Sequence, residues 1–268
     1  AAVIKKNKKK IFYSHPGATF GGVVYNKISF NECQELISSL INYLKKEGFD
    51  QIELINTPSI YYNSFDETLE YCLNTNGFLI KEFYISSLIL VNHNLDVLIK
   101  KILKNKKRTS TYYDSIIKKY NISFHWEKKF KDFYPVLLDN KKIHDSLPTH
   151  SLDEIIQINH IMPQRIQLLL IKSENRVIGG TLLFIATSKI AIIFYNVINY
   201  KYKELQPATL QIIESIKWAQ KNNFQYLDFG VSQQQLKNNP IAPSPSLIKF
   251  KEQFNASGFI RKKYIKVL

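Results

Sequence analysis

The sequence predicts a mixed α/β fold of the α+β type, built from two copies of one structural unit. The first observation is composition: the 268 residues are 45% hydrophobic and include only 9 Gly and 9 Pro. Such a chain can bury a core and is neither disordered nor collagen-like. The second observation is the alternation of strand-like and helix-like hydrophobic patterns. The third is an internal repeat.

The internal repeat consists of two pairs of similar segments in the same order. Residues 45–55 (KKEGFDQIELI) are similar to residues 220–230 (QKNNFQYLDFG). Downstream, residues 74–85 (NTNGFLIKEFYI) are similar to residues 255–266 (NASGFIRKKYIK). Each copy predicts the order helix, strand, helix, Gly-Phe, strand, which indicates a duplicated α/β domain.

The first half of the chain begins with a basic hairpin and continues into the first copy of the repeat. A Lys-Asn-Lys turn separates the first two strands, and a glycine-containing loop follows them. Ser64-Phe-Asp-Glu67 has the pattern of a capping box at a helix start. The predicted strands are 1–5, 10–14, 51–55 and 78–91, and the predicted helices are 31–46 and 64–74.

The second half begins with a basic helical segment and ends with the second copy of the repeat. Ser151-Leu-Asp-Glu154 predicts another capping box, and Pro207 lies in the first turn of a helix, where proline is tolerated. The predicted helices are 95–120 (with a polar stretch at 105–111), 130–145, 151–162, 205–221 and 247–255. The predicted strands are 122–126, 165–172, 176–186, 190–198, 225–229 and 259–267.

These patterns predict two domains, at 1–94 and 122–268, joined by a basic helical connector at 95–121. The second copy has a long series of helices and strands ahead of its repeat, whereas the first has only about 30 residues there. The first domain is therefore expected to lack its N-terminal part. Because residue 1 is Ala and not Met, the chain is also expected to start inside a longer protein.

The net charge of +15 and the sequence pI of about 9.5 favour a polyanionic or phosphate-bearing partner. Lysines that accumulate on solvated faces under an AT-rich codon usage are the alternative explanation. Two cysteines, Cys33 and Cys72, form neither a disulfide framework nor a zinc site, which favours a reduced, cytoplasmic protein. The longest apolar stretch, 181–198, contains Ser188 and Lys189, so it predicts two buried strands and no transmembrane segment.

Several enzyme classes lack their sequence motifs. The six histidines have no metal-ligand spacing, so no metal is expected. The chain has no Gly-x-Ser-x-Gly elbow, P-loop or dinucleotide-binding fingerprint. Hydrolase, NTPase and dehydrogenase activities therefore have no motif to support them.

Four phrases carry a resemblance to a known family, which covers nearly the whole chain. They are Ser14-His-Pro-Gly-Ala-Thr-Phe-Gly-Gly22, Pro148-Thr-His-Ser151, Leu227-Asp-Phe-Gly-Val-Ser232 and Phe250-Lys-Glu-Gln-Phe-Asn-Ala-Ser-Gly258. With the order of elements in 122–268, they resemble the GNAT acyltransferase fold. The tandem arrangement resembles the Fem-type branch, the peptidyl transferases of peptidoglycan cross-bridges and their FemAB-like relatives. The resemblance implies two GNAT-like domains, each with a mixed central sheet flanked by helices.

The resemblance also implies an N-acyltransferase. Such an enzyme moves an acyl or aminoacyl group from acyl-CoA or aminoacyl-tRNA to an amine on a small molecule or a cell-envelope precursor. One alternative is a tRNA-dependent transferase that builds peptidoglycan cross-bridges. Another is a non-catalytic GNAT-like module that binds nucleic acid or a nucleotide-linked sugar. The acyl group, the acceptor and the oligomeric state are not readable from the sequence.

The resemblance places the donor where two central strands separate, here 190–198 and 225–229, beside the helix that starts near Gln206. Backbone N–H groups at 206–210 would receive the donor phosphates. The expected donor-binding residues are Lys201, Lys203, Gln206, Ala208 and Thr209. The closely spaced glycines of a CoA-binding loop are absent from residues 200–209, which argues against classical CoA binding.

Asp228 and Tyr195 are the expected catalytic residues, because both lie on the separating strands. Asp228 is placed to act as a base or to bind the amine, and Tyr195 to orient the acceptor or protonate the leaving group. Buried structural roles are the alternative for both. The expected substrate-binding residues are His15, Phe20, Asn196, His150, Gly230, Ser232 and Lys249. Lys249 and Lys251 flank Phe250 on a helix and are both candidates to contact phosphate, with solvation as the simpler alternative for each. For His150 the simpler alternative is that it braces a helix end.

Overall fold

The fold was analysed in a computed structural model that describes residues 1–15, 17–25, 27–91, 94–234, 239 and 241–268. The strands are β1 (Ala2–Lys6), β2 (Lys9–Tyr13), β3 (Gln51–Ile55), β4 (Leu79–Leu90), β5 (Ile122–Trp126), β6 (Ile166–Ser173), β7 (Arg176–Ile185), β8 (Ile190–Ile198), β9 (Tyr226–Val231) and β10 (Ser257–Val267). The helices are α1 (Phe30–Lys46), α2 (Thr68–Thr75), α3 (Leu95–Asn105), α4 (Ser110–Lys119), α5 (Phe130–Ile143), α6 (Leu152–Ile161), α7 (Pro207–Lys221) and α8 (Pro245–Glu252). Short 3₁₀ helices lie at Ser59–Tyr61, Pro163–Arg165 and Tyr200–Leu205. The predicted mixed α/β architecture is confirmed.

The chain forms two compact units whose limits differ from the predicted domain limits. Unit 1 comprises residues 1–86, 233–243 and 259–268, and unit 2 comprises residues 87–232 and 244–258. The predicted connector at 95–121 forms α3 and α4 of unit 2, and most of β10 belongs to unit 1. A strand's own sequence does not state which sheet it joins, which is why β10 was expected in the second domain.

Unit 1 is a sheet with two helices packed on one face. β1 pairs antiparallel with β2, β2 parallel with β3, and β3 antiparallel with β10. Helix α1 begins with a capping box in which the Ser29 side chain accepts from Glu32 N–H and the Glu32 carboxylate accepts from Ser29 N–H. The buried side of α1 and α2 packs with β3 and β10 in a core that includes Cys33, Ile37, Leu44, Ile52, Leu54, Leu73 and Tyr264.

Unit 2 contains a sheet with helices on both faces. Strands β5, β6, β7 and β8 form an antiparallel meander, β9 pairs parallel with β8, and Val91 N–H, just after β4, donates to the Gln225 carbonyl. Helices α3 and α7 share one hydrophobic core with β8 and β9. Helices α5 and α6 pack against β6, β7 and β8 in another core. Phe133 of α5 fits over Gly180, where a Cβ atom would lie 2.7 Å from its ring.

The two copies of the repeat have the same order of elements. In the first copy the order is α1, β3, α2, β4, and in the second it is α7, β9, α8, β10. The last four residues of β4, 87–90, belong to unit 2, and most of β10 belongs to unit 1, where it is the strand next to β3. Each repeat therefore gives part of its last strand to the unit that holds the other repeat's first strand.

One predicted helix start is wrong, and another is confirmed. Helix α2 begins at Thr68 and not at Ser64, because Asp66 accepts a hydrogen bond from Thr68 N–H in a local turn that precedes the helix. The capping box of Ser151 and Glu154 at α6 is confirmed. Among the described residues, no helix combines the length and the apolar character that crossing a bilayer requires.

Candidate active site

The candidate site in unit 2 lies where β8 and β9 separate. The parallel pairing of these strands covers three residue pairs, Ile190 with Tyr226, Ala191 with Leu227 and Ile192 with Asp228. Strand β8 continues to Ile198 and β9 to Val231 with no further pairing between them in the described part of the chain. The two strands that were expected to separate therefore stop pairing after Ile192 and Asp228, which leaves an opening between them.

A β-bulge lies on β8 at the start of this opening. The pairing of β7 with β8 shifts after Leu182, so that Leu182 faces Tyr195 while Leu183 faces Ile193. Phe194 is the extra residue and has no partner on β7. The bulge places Phe194 and Tyr195 in one aromatic cluster, with their ring centroids 4.8 Å apart. Alternation resumes at Asn196, which points to the opposite face.

Tyr195 lies in the core on the α5 and α6 face of the sheet, and its hydroxyl oxygen accepts the N–H of Thr149 at 2.9 Å. A hydroxyl that accepts one hydrogen bond still has its own proton to donate. The geometry thus agrees with the buried structural role that is the alternative for Tyr195. The hydroxyl proton of Tyr195 remains available for donation at the bulge. Lys141 lies over its ring, 5.5 Å from the centroid, and burial lowers the pKa of Lys141.

His150 lies on the same aromatic cluster. Its ring centroid is 5.3 Å from that of Phe194 and 6.3 Å from that of Phe184. Its Nδ1 atom is buried and has no hydrogen-bond partner among the described residues. Buried ring nitrogens are normally paired, so this atom needs a partner from outside the protein or a bound water. His150 and Tyr195, which were predicted separately, are brought together here through Phe194 and Thr149.

Asn196 is part of a buried polar network on the α7 face. Its Oδ1 accepts from the Thr181 hydroxyl at 2.7 Å and from Gln211 Nε2 at 2.8 Å, and its Nδ2 donates to the carbonyl of Ala208 at 3.4 Å. The network fits only because residue 179 is Gly: a Cβ there would lie 2.1 Å from Gln211 Oε1. Asn196 therefore fixes β8 to the first turn of α7.

Most of the backbone N–H groups at the start of α7 donate to other backbone groups of the protein. Gln206 has a left-handed backbone (φ 53°) and donates its N–H to Lys203, while Thr209 and Leu210 donate theirs to Gln206. Pro207 has no N–H. The row of free backbone donors expected at 206–210 is therefore largely absent. Lys201 and Lys203, predicted to bind the donor, are exposed.

Two tyrosines of α4 hold the Gln206 side chain. The Tyr113 hydroxyl donates to Gln206 Oε1 at 3.2 Å, and Gln206 Nε2 donates to the Tyr112 hydroxyl at 3.1 Å. Burial raises the pKa of Tyr113. The Gln206 side chain is thereby used in internal contacts, which connect the start of α7 to the basic helix α4.

Asp228 is fully buried near the end of β9. Its Oδ1 accepts the N–H of Gly230 at 2.6 Å. Gly230 has a left-handed backbone (φ 70°), and a Cβ built on it would meet no atom of the described residues within 4 Å. The carboxylate thus braces a turn that borders open space. Ser232 is also buried, its Oγ has no partner among the described residues, and its carbonyl accepts from Ser244 N–H.

Of the two lysines that flank Phe250 on α8, Lys249 was the one predicted to bind substrate, but Lys251 is the lysine that reaches this turn. Lys251 is 3% exposed, and its Nζ donates to the carbonyls of Gly230 at 2.8 Å and Val231 at 3.0 Å. Lys249 is exposed. Lys251 lies three residues after Ile248 and three before Phe254, so it occupies the inward stripe of the helix. That periodicity is the signal that could have distinguished Lys251 from Lys249.

His15 and Phe20 lie in unit 1, whereas the other predicted site residues lie in unit 2. The His15 ring packs on Gly21, where a Cβ would lie 2.1 Å from it, and the Phe20 ring is 4.6 Å from that of Tyr61. Asn56 packs against Gly22, and both polar atoms of its buried amide lack partners in the described part of the chain. This loop is a second, separate candidate for substrate contact.

A metal centre finds no support in the described residues, since they contain no cluster of three or more His, Cys, Asp or Glu side chains that could hold an ion. The groups that the candidate site offers are backbone N–H groups and the side chains of Asp228, Tyr195, His150 and Lys251.

No protein-family model matches the sequence, and no curated protein matches it. Among solved structures, the crystal structure of FemX superposes on the chain with a TM-score of 0.70 at 12% identity, covering 99% of this chain and 83% of that one. The fold is that of FemX. The resemblance to Fem-type proteins of the GNAT fold is thereby confirmed for the fold.

Other solved structures support the same FemX-like fold. L-PGS from Bacillus licheniformis has a TM-score of 0.58 at 13% identity, covering 87% of this chain and 72% of that one. A conserved protein of unknown function from Bacteroides thetaiotaomicron has a TM-score of 0.61 at 10% identity, covering 88% and 75%. At such identities the likeness extends to the fold, and substrates have to be argued from the site.

Proposed function

We propose that this protein is an N-acyltransferase that moves an acyl or aminoacyl group from a phosphate-bearing donor to an amine. The observation that carries the proposal is the opening between β8 and β9, with a bulge at Phe194 on one strand and the buried Asp228 on the other. Backbone groups of β8 beyond Ile192 have no partner on β9, so they are available to a carbonyl inserted there.

The proposed reaction is direct acyl transfer. The neutral amine attacks the donor carbonyl carbon, a C–N bond forms, and the ester or thioester bond to the donor breaks. A backbone N–H of β8 stabilises the negative charge that develops on the carbonyl oxygen. Asp228 receives the proton released by the amine, directly or through water, and the Tyr195 hydroxyl protonates the leaving oxygen or sulfur.

Aminoacyl-tRNA is the donor that the site favours over acyl-CoA. A CoA pyrophosphate needs free N–H groups at the start of a helix, but Gln206, Thr209 and Leu210 use theirs internally and Pro207 has none. The exposed Lys201 and Lys203 lie just before this turn and supply charge to a donor whose phosphates lie farther out. The net charge of +15 also suits RNA.

The acceptor in this proposal is an amine of a cell-envelope precursor. This choice is supported by the similarity of the fold to that of FemX, because the Fem-type resemblance implies such an acceptor. Such a reaction with aminoacyl-tRNA takes place in the cytoplasm. The more specific alternative is the synthesis of peptidoglycan cross-bridges, which is the same reaction with a peptidoglycan precursor as the acceptor. A non-catalytic module would bind donor or acceptor without turnover.

The experiment that tests the proposal compares donors under identical conditions. The purified chain is incubated with tRNA charged with one radiolabelled amino acid at a time, or with labelled acetyl-CoA or a longer acyl-CoA. A UDP-linked muropeptide that carries a lysine side chain serves as the acceptor. We expect label to move from tRNA to the muropeptide and not to move after RNase treatment.

The possible contradicting results are distinct. Transfer from acyl-CoA alone would overturn the choice of donor and leave the acyltransferase function intact. Binding of tRNA or muropeptide in a thermal-shift measurement, with no transfer from any charged tRNA or acyl-CoA, would overturn catalysis in favour of the binding module.

A further inference from the structure

We infer that α3, α4 and the turn between them form the surface of unit 2 that binds the acceptor arm of a tRNA, an inference that rests on the proposed function. This segment was expected to be a connector, and the candidate active site makes no other use of its charge.

The segment carries a dense, unneutralised positive charge. Its only acidic residues are Asp96 and Asp114. No lysine or arginine of α3, α4 or the intervening turn forms an ion pair with any residue that the structure describes. The exposed cations are Lys100, Lys101, Lys104, Lys107, Arg108, Lys118 and Lys119.

The helical geometry puts several of these cations side by side. Lys100 and Lys101 lie four and three residues before Lys104, so the three side chains project from one face of α3. The opposite face of α3 is packed into the core through Leu98 and Ile102. Neighbouring helix positions of this kind are about 5–6 Å apart, which allows successive side chains to reach successive backbone phosphates.

The surface is joined to the donor end of the candidate site by direct contacts. The Arg108 guanidinium lies 4.7 Å from the ring centroid of Tyr112. The Tyr112 hydroxyl accepts from Gln206, which precedes α7, and Lys201 and Lys203 lie on the preceding 3₁₀ helix. A phosphate backbone on α3 and α4 would thus lead toward the opening between β8 and β9, where the aminoacyl end has to arrive.

RNA fits this surface better than a membrane does. A membrane-bound amphipathic helix needs its apolar face available to lipid, but the apolar faces of α3 and α4 are packed inside unit 2, in clusters that include Leu98, Ile102, Leu103 and Tyr113. Recognition of an RNA stem requires mainly exposed charge toward phosphates. Val97 and Tyr120 are the large apolar side chains exposed in or next to these helices.

The test uses two charge-matched triple variants of the full chain. One is Lys100→Gln/Lys101→Gln/Lys104→Gln, and the control is Lys6→Gln/Lys8→Gln/Lys9→Gln in the exposed hairpin of unit 1. Binding of fluorescent total tRNA is measured by anisotropy between 50 and 200 mM KCl. We expect the α3 variant to bind roughly tenfold to a hundredfold more weakly at 50 mM and to lower the salt slope by about 2 to 3. The control should stay within about twofold of the parent chain.

Several results would overturn the inference. Equal weakening in both variants would mean that only net charge matters, and a larger effect in the control would move the contact to the hairpin. Preferential binding of phosphatidylglycerol vesicles, lost in the α3 variant, would assign the surface to membranes. Unchanged tRNA affinity in the α3 variant with transfer from charged tRNA intact would refute this surface and leave the proposed function standing. Transfer from acyl-CoA without tRNA binding would refute both the surface and the tRNA donor. Urea unfolding of both variants checks that they remain folded.

Discussion

The Asp228 carboxylate accepts a hydrogen bond of 2.6 Å from the backbone N–H of Gly230. This contact closes a turn at the end of β9 in which Gly230 takes a left-handed conformation. The same turn receives Lys251 from α8 on the carbonyls of Gly230 and Val231. The edge of the candidate site is therefore held by one buried carboxyl group and one buried lysine side chain, and each can be replaced in turn.

Replacing Asp228 with Asn keeps an oxygen that can accept from Gly230 N–H but removes the negative charge. If Asp228 takes up the amine proton, Asp228→Asn should lower kcat by roughly 10²-fold or more with little change in donor affinity. The measurement is single-turnover transfer together with donor binding. Asp132→Asn, at an exposed position on α5, is the matched control. If the folded Asp228→Asn protein has the same kcat as the parent chain, Asp228 has only a structural role in the turn.

Replacing Lys251 with Met keeps the aliphatic length but leaves the carbonyls of Gly230 and Val231 without their donor. Unpaired buried groups are costly, so we expect Lys251→Met to reduce the free energy of unfolding by about 2 to 4 kcal/mol. The exposed Lys249, two residues earlier on α8, provides the control Lys249→Met, which should change stability by less than about 0.5 kcal/mol. Urea unfolding measures both. Similar values for the two variants would show that Lys251 does not hold the turn.

His150 offers a buried Nδ1 that has no partner among the described residues and lies beside the bulge residue Phe194. We expect His150→Leu, which keeps apolar contact with Phe194, to raise KM for the acceptor roughly tenfold while donor affinity stays constant. The exposed His160 on α6 gives the control His160→Leu. Steady-state kinetics with varied acceptor is the measurement. If only the donor affinity falls, His150 belongs to the donor site and not to the acceptor site.

Lys106 predicts a pH dependence of stability. Burial, with a smaller effect of Arg108, lowers the pKa of Lys106 from 10.5 to about 8; its Nζ bonds to Gln253 and lies over the Phe254 ring. Between these pH values the unfolded chain binds a proton that the folded chain has lost, so this group makes stability rise with pH from about 8 to about 10.5. Urea midpoints across this range should rise less in Lys106→Met than in the parent chain, with Lys104→Met as the control. Parallel curves for parent and Lys106→Met would contradict this.

Lys201 and Lys203 should contribute charge to donor binding, because the turn after them has few free N–H groups. We expect Lys201→Ala/Lys203→Ala to weaken tRNA binding roughly tenfold at 50 mM salt and less at 200 mM. The control is Lys217→Ala/Lys221→Ala on α7, with the same loss of charge. Anisotropy titrations report the affinities. Unchanged donor affinity in the Lys201 and Lys203 variant would remove this loop from the donor site.

The sequence predicted the elements well because local signals determine them. The helical stripe of α1, the capping box of Ser151 and Pro207 at the start of α7 all depend on neighbouring residues. The predicted capping box at Ser64 was wrong because the Asp66 carboxylate accepts the N–H of Thr68. This more local hydrogen bond competes with the capping box. The opening between β8 and β9 followed from the family resemblance and not from local signals.

The remaining features depend on distant residues. The bulge at Phe194 arises from the register between β7 and β8, and no residue pattern within β8 predicts it. Lys249 and Lys251 differ in burial only because of what α8 packs against. The internal use of the Gln206 side chain requires Tyr112 and Tyr113, far away in the chain.

The placement of β10 in unit 1 has a consequence for how the protein is made. The sheet of unit 1 contains β1, β2 and β3 and also β10, which lies far from them in sequence and next to β3 in the sheet. During synthesis, residues 1–86 leave the ribosome early but cannot complete their sheet until residues 257–267 emerge. Contacts between such distant segments slow folding and prolong the exposure of unpaired strand edges. Removing β10 therefore deprives unit 1 of the strand next to β3, and a fragment without β10 would be an aggregation-prone intermediate.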